Sequence, residues 1–267
     1  MEKNIETIID FEHVYANYGS FVALKDITLK INSNENWVIL GANGSGKSTL
    51  IKLLTNDMYP NTEFDFKKKL FGKDRWDIFE LKKLLGIITN ELHIKFMNCE
   101  NYITVQDVVT SGYYSAIGSF KHHVFSDEEL RKAEETMKFL NIYNIKDKRV
   151  YELSTGQLRL AVIGRALIHN PKAFILDEPT VGLDIRAQRI FINLFEKISK
   201  TTPIILITHD VSEIFPEITH AALVHNQTIY KHGKKEDILT SKNLSEIFDT
   251  DIKLEEENGR YCIKYSD

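Results

Sequence analysis

Residues 41–48 read GANGSGKS, with glycines at 41, 44 and 46 ahead of Lys47 and Ser48. The spacing fits G-x-x-x-x-G-K-[ST], a loop that wraps phosphate. Glycine lets the backbone turn sharply and bring its N–H groups close to phosphate oxygens. Lys47 is expected to reach the β- and γ-phosphates, and the Ser48 hydroxyl to bind Mg²⁺. The candidate nucleotide-binding segment is therefore Gly41, Ala42, Asn43, Gly44, Ser45, Gly46, Lys47, Ser48 and Thr49. A helix opening directly after the loop would add its partial positive charge.

A metal-bound triphosphate also needs carboxylates. The stretch AFILDEP, 173–179, ends an apolar run in Asp177, where a metal-binding aspartate is expected. Glu178 follows at once. Buried beside Asp177, it would orient or deprotonate the attacking water. A second glycine loop, LSTGQ, occupies 153–157. Ser154 and Gln157 have capping-box spacing, and Thr155 and Gly156 would expose N–H groups at a positive helix end. Alone, that is only a well-capped helix start.

These residues need elements to hold them. Residues 5–31 alternate apolar and polar in short stretches, which predicts antiparallel strands. NSNEN at 32–36 is a turn, WVIL at 37–40 a short buried strand, and a helix from about Lys47 carries Leu50, Leu53 and Leu54 inward. Ser126 and Glu129 predict a capping box for a helix whose inner face holds Leu130, Ala133, Met137 and Leu140. Thr104 caps another helix, with Val105, Val108 and Val109 inward. After 150 the pattern alternates again: a helix from about Gln157, a strand at 173–177, a helix around 186–200, a strand at 203–209, a helix near 211–215 and a strand at 221–225. Such alternation predicts a mostly parallel sheet. Asn258-Gly259 between alternating stretches predicts a hairpin. The expected fold is α/β, a P-loop NTPase core with an N-terminal antiparallel β-subdomain and a helical insertion. One domain is expected over 1–245, with the insertion at about 91–150, and a β-hairpin extension over 246–267.

Composition narrows the function. A net charge of −4 argues against nucleic-acid binding through bulk charge. Cys99 and Cys262 form no CxxC and sit in no metal-ligand spacing, which suits a reducing cytoplasm. The start, MEKNIETIIDF, has no basic stretch followed by a long apolar run, so no signal peptide is expected. The apolar runs are strand-length, far below the roughly 20 residues that cross a bilayer. A membrane passage would have to come from another chain. His122 and His123 are neighbours that would point apart on a helix, and are read as surface residues.

The motifs GANGSGKST, LSTGQ, ILDEP, GLD at 182–184 and THD at 208–210 occur in the order found in ATP-binding cassette (ABC) ATPases. The chain resembles that family along nearly its whole length. The resemblance implies ATP with Mg²⁺, and a homodimer paired head to tail. In such a dimer Ser154, Thr155, Gly156 and Gln157 close on the ATP held by the other copy. It also implies that Tyr18 stacks on adenine, that His209 contacts the γ-phosphate and holds water with Glu178, and that Asp184 couples the two sites. Gly182 would allow the turn before Asp184. Asn90 stands where a metal-contacting glutamine is usual and is one methylene shorter. Thr155 replaces a commoner glycine, Leu160 an arginine and Gly164 an alanine. LSTG together with TVQDVVTSGYYSAIG, 104–118, looks closest to a subgroup related to molybdate-import and photorepair-labelled proteins.

The expected activity is ATP hydrolysis by the nucleotide-binding subunit of a transporter, on the cytoplasmic face of the membrane, with a separate transmembrane permease and no direct contact with nucleic acid. The alternative is a soluble ABC ATPase that remodels nucleic acid or ribosomes. Members of that kind usually carry two cassettes or long coiled coils between the motifs, and this chain has neither. A P-loop kinase or GTPase leaves LSTGQ and Glu178 unexplained.

Overall fold

In the computed structural model, residues 5–99, 102–117 and 124–264 are described. Gly118, His122 and His123, named above, lie outside them. Strands β1 (Thr7–Tyr18) and β2 (Phe21–Asn32) are followed by β3 (Trp37–Leu40), helix α1 (Lys47–Leu54) and β4 (Lys67–Leu70). Then come α2 (Ile78–Leu84), β5 (Leu85–Ile88), α3 (Asn90–Met97), α4 (Val105–Thr110), α5 (Asp127–Phe139) and α6 (Thr155–Leu167). The chain continues through β6 (Ala173–Asp177), α7 (Ile185–Ser199), β7 (Ile204–Thr208), β8 (His220–His225) and β9 (Thr228–Lys234). Two short helices, α8 (Lys235–Ile238) and α9 (Ser241–Phe248), precede β10 (Lys253–Glu257) and β11 (Arg260–Lys264). These elements form two units: Met1–Ile78 with Ile175–Glu178 and Ile192–Asp267, and Phe79–Phe174 with Pro179–Phe191.

In the first unit β1 pairs antiparallel with β2 and, on its other side, with β4. The alternation read in 5–31 buries Phe11, Val14, Leu24, Ile27, Leu29 and Ile31. Strand β3 pairs in parallel with both β7 and β8, opposing Leu40 to Thr208 and to Leu223. The order is β6-β7-β3-β8-β9, with β9 antiparallel to β8. Val38, Ile39, Leu40, Ile204, Ile205 and Ile207 are fully buried. Strands covered on both faces read as unbroken apolar runs, which is why WVIL and IILI show no alternation. The register brings the ends of β3 and β7 to one edge, and the Glu178 N–H bond to the Ile207 carbonyl puts the end of β6 there too, where ligands of open α/β sheets bind. At the C-terminus Asn258 (φ 54°) and Gly259 (φ 76°) turn β10 back into β11.

The second unit holds strand β5 and helices α3 to α6. Capping boxes open α4 at Thr104, α5 at Ser126 and α6 at Ser154. The inner face of α5 is Ala133, Thr136 and Met137, followed by Leu140; Leu130 is 40% exposed and does not belong to it. Helical spacing identifies a stripe but not its ends, and Leu130 lies in the first turn. A Cβ on Gly164 would lie 3.0 Å from Val109 and 3.1 Å from Leu140, so the alanine common there would need those side chains to give by a few tenths of an ångström. The segment read as a helix near 211–215 is a single 3₁₀ turn, Val211–Glu213.

Candidate functional site

The loop from Gly41 to Gly46 joins β3 to α1, and Gly46 takes φ 115°, a conformation that side chains avoid. A Cβ there would also meet Leu24 at 2.7 Å. Lys47 is buried, and its Nζ donates to the carbonyls of Gly41 (2.7 Å) and Ala42 (3.0 Å). Two of its three protons are therefore used and one remains for a ligand. Burial lowers the Lys47 pKa, while Glu178 and Asp177 pull it back up. The Ser45 hydroxyl is buried with no hydrogen-bond partner among the described residues. An orphaned polar atom inside a phosphate loop fits a loop made to receive polar oxygens.

A cavity of about 350 Å³ opens beside this loop. Its walls are Tyr18, Phe21, Ala23, Asn43, Gly44, Gly46, Lys47, Ser48, Thr49, Asp177, Glu178 and Gln227, all in the first unit. Asp177 ends β6, and its pKa is pushed up to about 6, first by burial and then by Glu178, against the pull of Lys47. A carboxylate so placed is short of positive charge. With the Ser48 hydroxyl it makes a hard oxygen donor pair suited to Mg²⁺.

Glu178 has φ 45°, the left-handed region that a non-glycine residue rarely enters, at a cost of about 1–3 kcal/mol. Its N–H donates to the Ile207 carbonyl at 2.9 Å. Its side chain is half-buried rather than buried, and Oε1 lies 2.7 Å from Nδ1 of His209 at the end of β7. Tyr18 is 46% exposed, with Nζ of Lys52 5.2 Å from its ring centre. Burial pushes its phenol up, but hydrogen bonds to Lys52 and Thr49 outweigh that and leave it lowered.

The remaining candidate residues lie in the second unit. Ser154 and Gln157 form the reciprocal cap the spacing predicts: Gln157 N donates to Ser154 Oγ (3.3 Å), and Ser154 N donates to Gln157 Oε1 (3.1 Å). Ser154 and Thr155 are exposed, and a Cβ added to Gly156 would meet nothing nearer than 4.0 Å. Asp184 is exposed, and its Oδ1 accepts from Ala187 N at 2.8 Å, capping α7. Gly182 turns the chain before it with φ 76°. Asn90 opens α3, and its Oδ1 accepts from Arg159 Nη2 at 3.3 Å.

Sequence reasoning missed three residues of the cavity wall, Phe21, Ala23 and Gln227, and, in the second unit, Arg159. Phe21 lies opposite Tyr18 across the β1–β2 turn and lines the cavity. It stands in the same stretch, YANYGSFVAL, and a second aromatic there was a usable signal. Gln227 is held by its main chain, donating to the Ser45 carbonyl (3.1 Å) and accepting from Lys25 N (2.7 Å). Nothing local in the sequence marks it. Arg159 is buried in α6, one position before the leucine that replaces an expected arginine.

Residues 24–181 match the protein-family model described as ABC transporter. The chain is 30% identical over 261 residues to the uncharacterized ABC transporter ATP-binding protein YmeB of Lactococcus lactis, covering 96% of this chain and 98% of that protein. It is 31% identical over 249 residues to YlmA of Bacillus subtilis, described in the same words, covering 92% of each. Among solved structures it is similar to the ADP conformation of MJ1267, an ATP-binding cassette of an ABC transporter. The TM-score is 0.76 at 26% identity, covering 91% of this chain and 98% of that one. With the phosphate loop, Asp177, Glu178 and the capped LSTGQ helix in place, the chain belongs to the ABC transporter family and is one of its ATP-hydrolysing cassettes.

Proposed function

We propose that this chain drives a transporter: two copies enclose ATP at their interface, and hydrolysis there moves a separate transmembrane permease. One observation carries the reading. The phosphate cavity is walled by the first unit alone, while the N-terminal turn of α6 keeps Ser154, Thr155 and Gly156 open to a ligand from outside. Each copy then has half of two sites, and a two-fold pair completes both.

Within each site Lys47 and the N–H groups of Gly44–Thr49 bind the phosphates, and Tyr18 stacks on the base. Ser48 and Asp177 would hold Mg²⁺, which when bound neutralises phosphate charge, with Asn90 contributing through its amide. Glu178 aligns the attacking water and accepts its proton as the oxygen bonds to the γ-phosphorus and the bond to the β-phosphate oxygen breaks. His209 holds the Glu178 carboxylate through Nδ1 and leaves Nε2 for the γ-phosphate. Asp184 caps α7 beside the partner's site. Among the described residues no helix is long and apolar enough to cross a membrane. In this reading the chain acts at the cytoplasmic face, on a separate transmembrane protein. Its net charge of −4 argues against binding nucleic acid through bulk charge.

Sedimentation of Glu178→Gln tests the pairing: saturating ATP is expected to convert it to a dimer. A Glu178→Gln protein that stays single with ATP, while Ser154 and Gly156 variants hydrolyse normally, rejects the pairing. Capture of a multi-spanning protein from solubilised membranes supports transport, whereas capture of ribosomes or DNA supports remodelling instead.

A further inference from the structure

We propose that Arg159 is a positioning residue for hydrolysis, its guanidinium tying the side chain of Asn90 to the carbonyl of Pro179, the residue after Glu178. This rests on the role given to Glu178 above. Arg159 is 3% exposed in the second turn of α6. Its Nη1 donates to the Pro179 carbonyl at 2.5 Å, and its Nη2 to Asn90 Oδ1 at 3.3 Å. A planar guanidinium fixes the angle between these acceptors as well as their distance, which an ammonium does not.

Both acceptors need fixing. Glu178 has a left-handed backbone and precedes a proline, which narrows its allowed conformations further. The Ile207 carbonyl secures its N–H on one side. On the other side Pro179 has no N–H to offer, so its carbonyl is what hydrogen bonding can hold, and Arg159 holds it. Asn90 is half-buried at the first position of α3, where its amide would otherwise rotate; the bond from Arg159 sets its direction. Packing alone would favour an apolar side chain at 159, which avoids desolvating a charge. The neighbouring His93, also buried, is uncharged at neutral pH and has no hydrogen-bond partner for either ring nitrogen among the described residues, so it does not share this work.

The test measures steady-state hydrolysis and equilibrium ATP binding on the full chain for Arg159→Gln, Arg159→Lys, Asn90→Ala and the double variant Arg159→Gln/Asn90→Ala, with Glu178→Gln as control. Loss of the clamp is expected to lower kcat by about 10–100-fold while ATP affinity stays within about 3-fold, as small misplacements of reacting groups do. Arg159→Lys is not expected to restore kcat, and the double variant is expected to be no worse than the weaker single. Normal kcat in Arg159→Gln, a loss confined to KM, or fully additive losses in the double variant would overturn the clamp. So would failure of every Arg159 variant to fold, seen as loss of the ATP-dependent rise in melting temperature, since the residue would then serve only the fold. If Glu178→Gln hydrolyses normally, the underlying reading fails instead; if it is inactive while Arg159→Gln is not, only the clamp fails.

Discussion

His209 Nδ1 and Glu178 Oε1 lie 2.7 Å apart although 31 residues separate them in the chain. The pair spans the ends of β7 and β6, neighbours in the sheet. It fixes a half-buried carboxylate that has no other restraint at its head among the hydrogen bonds described. His209→Ala is therefore expected to lower kcat by about 10²-fold, the usual size of a lost general-base contribution, with little change in ATP affinity. Steady-state kinetics with ATP titration checks the split, and a loss confined to KM would contradict it.

Asp177 bears on stability as well as chemistry. Its pKa is raised from 3.8 to about 6 in the folded chain, chiefly by burial. The folded state therefore favours the protonated acid, and stability is lost as pH rises from about 3.8 through 6. Asp177→Asn avoids the buried charge. Without nucleotide and metal at pH 7.5, it is expected to be about 1–3 kcal/mol more stable than the native chain while losing hydrolysis. Thermal melts at pH 7.5 and pH 4 check this, with the advantage vanishing at pH 4.

His93 gives the opposite slope. Burial, then the charge of Arg159, lowers its pKa from 6.5 to about 4. The unfolded chain takes up this proton first, so stability is full above about pH 6.5 and falls as pH drops toward 4. The loss is expected to reach about 3 kcal/mol at most. His93→Leu removes the titration and leaves no hydrogen bond broken, because neither ring nitrogen has a partner among the described residues. Urea melts at pH 4.5 and pH 7 should show a smaller acid loss in the variant.

Gly46→Ala places a Cβ 2.7 Å from Leu24 at a residue with φ 115°. The left-handed backbone alone costs about 1–2 kcal/mol for an alanine. Relief of either strain displaces the first turn of α1, which carries Lys47 and Ser48. ATP affinity is expected to fall at least about 10-fold, the equivalent of one charged hydrogen bond. Calorimetric ATP titration of the folded variant checks it.

Much of this molecule was legible locally. The caps at Thr104, Ser126 and Ser154 are contacts across three residues, so spacing alone predicts them. The phosphate loop, the strand ending in Asp177 and the Asn258-Gly259 turn are equally short-range, and all appear as read. Side-chain types over a few positions determined these features, because the interactions that make them close within one turn. Tertiary structure alone decided that Leu130 faces outward, that Gln227 walls the cavity, and that His209 reaches Glu178. It also decided that Arg159 lies buried between Asn90 and Pro179. Each of these depends on which distant segments pack against one another, and that is a property of the assembled sheet and helices rather than of any stretch of sequence.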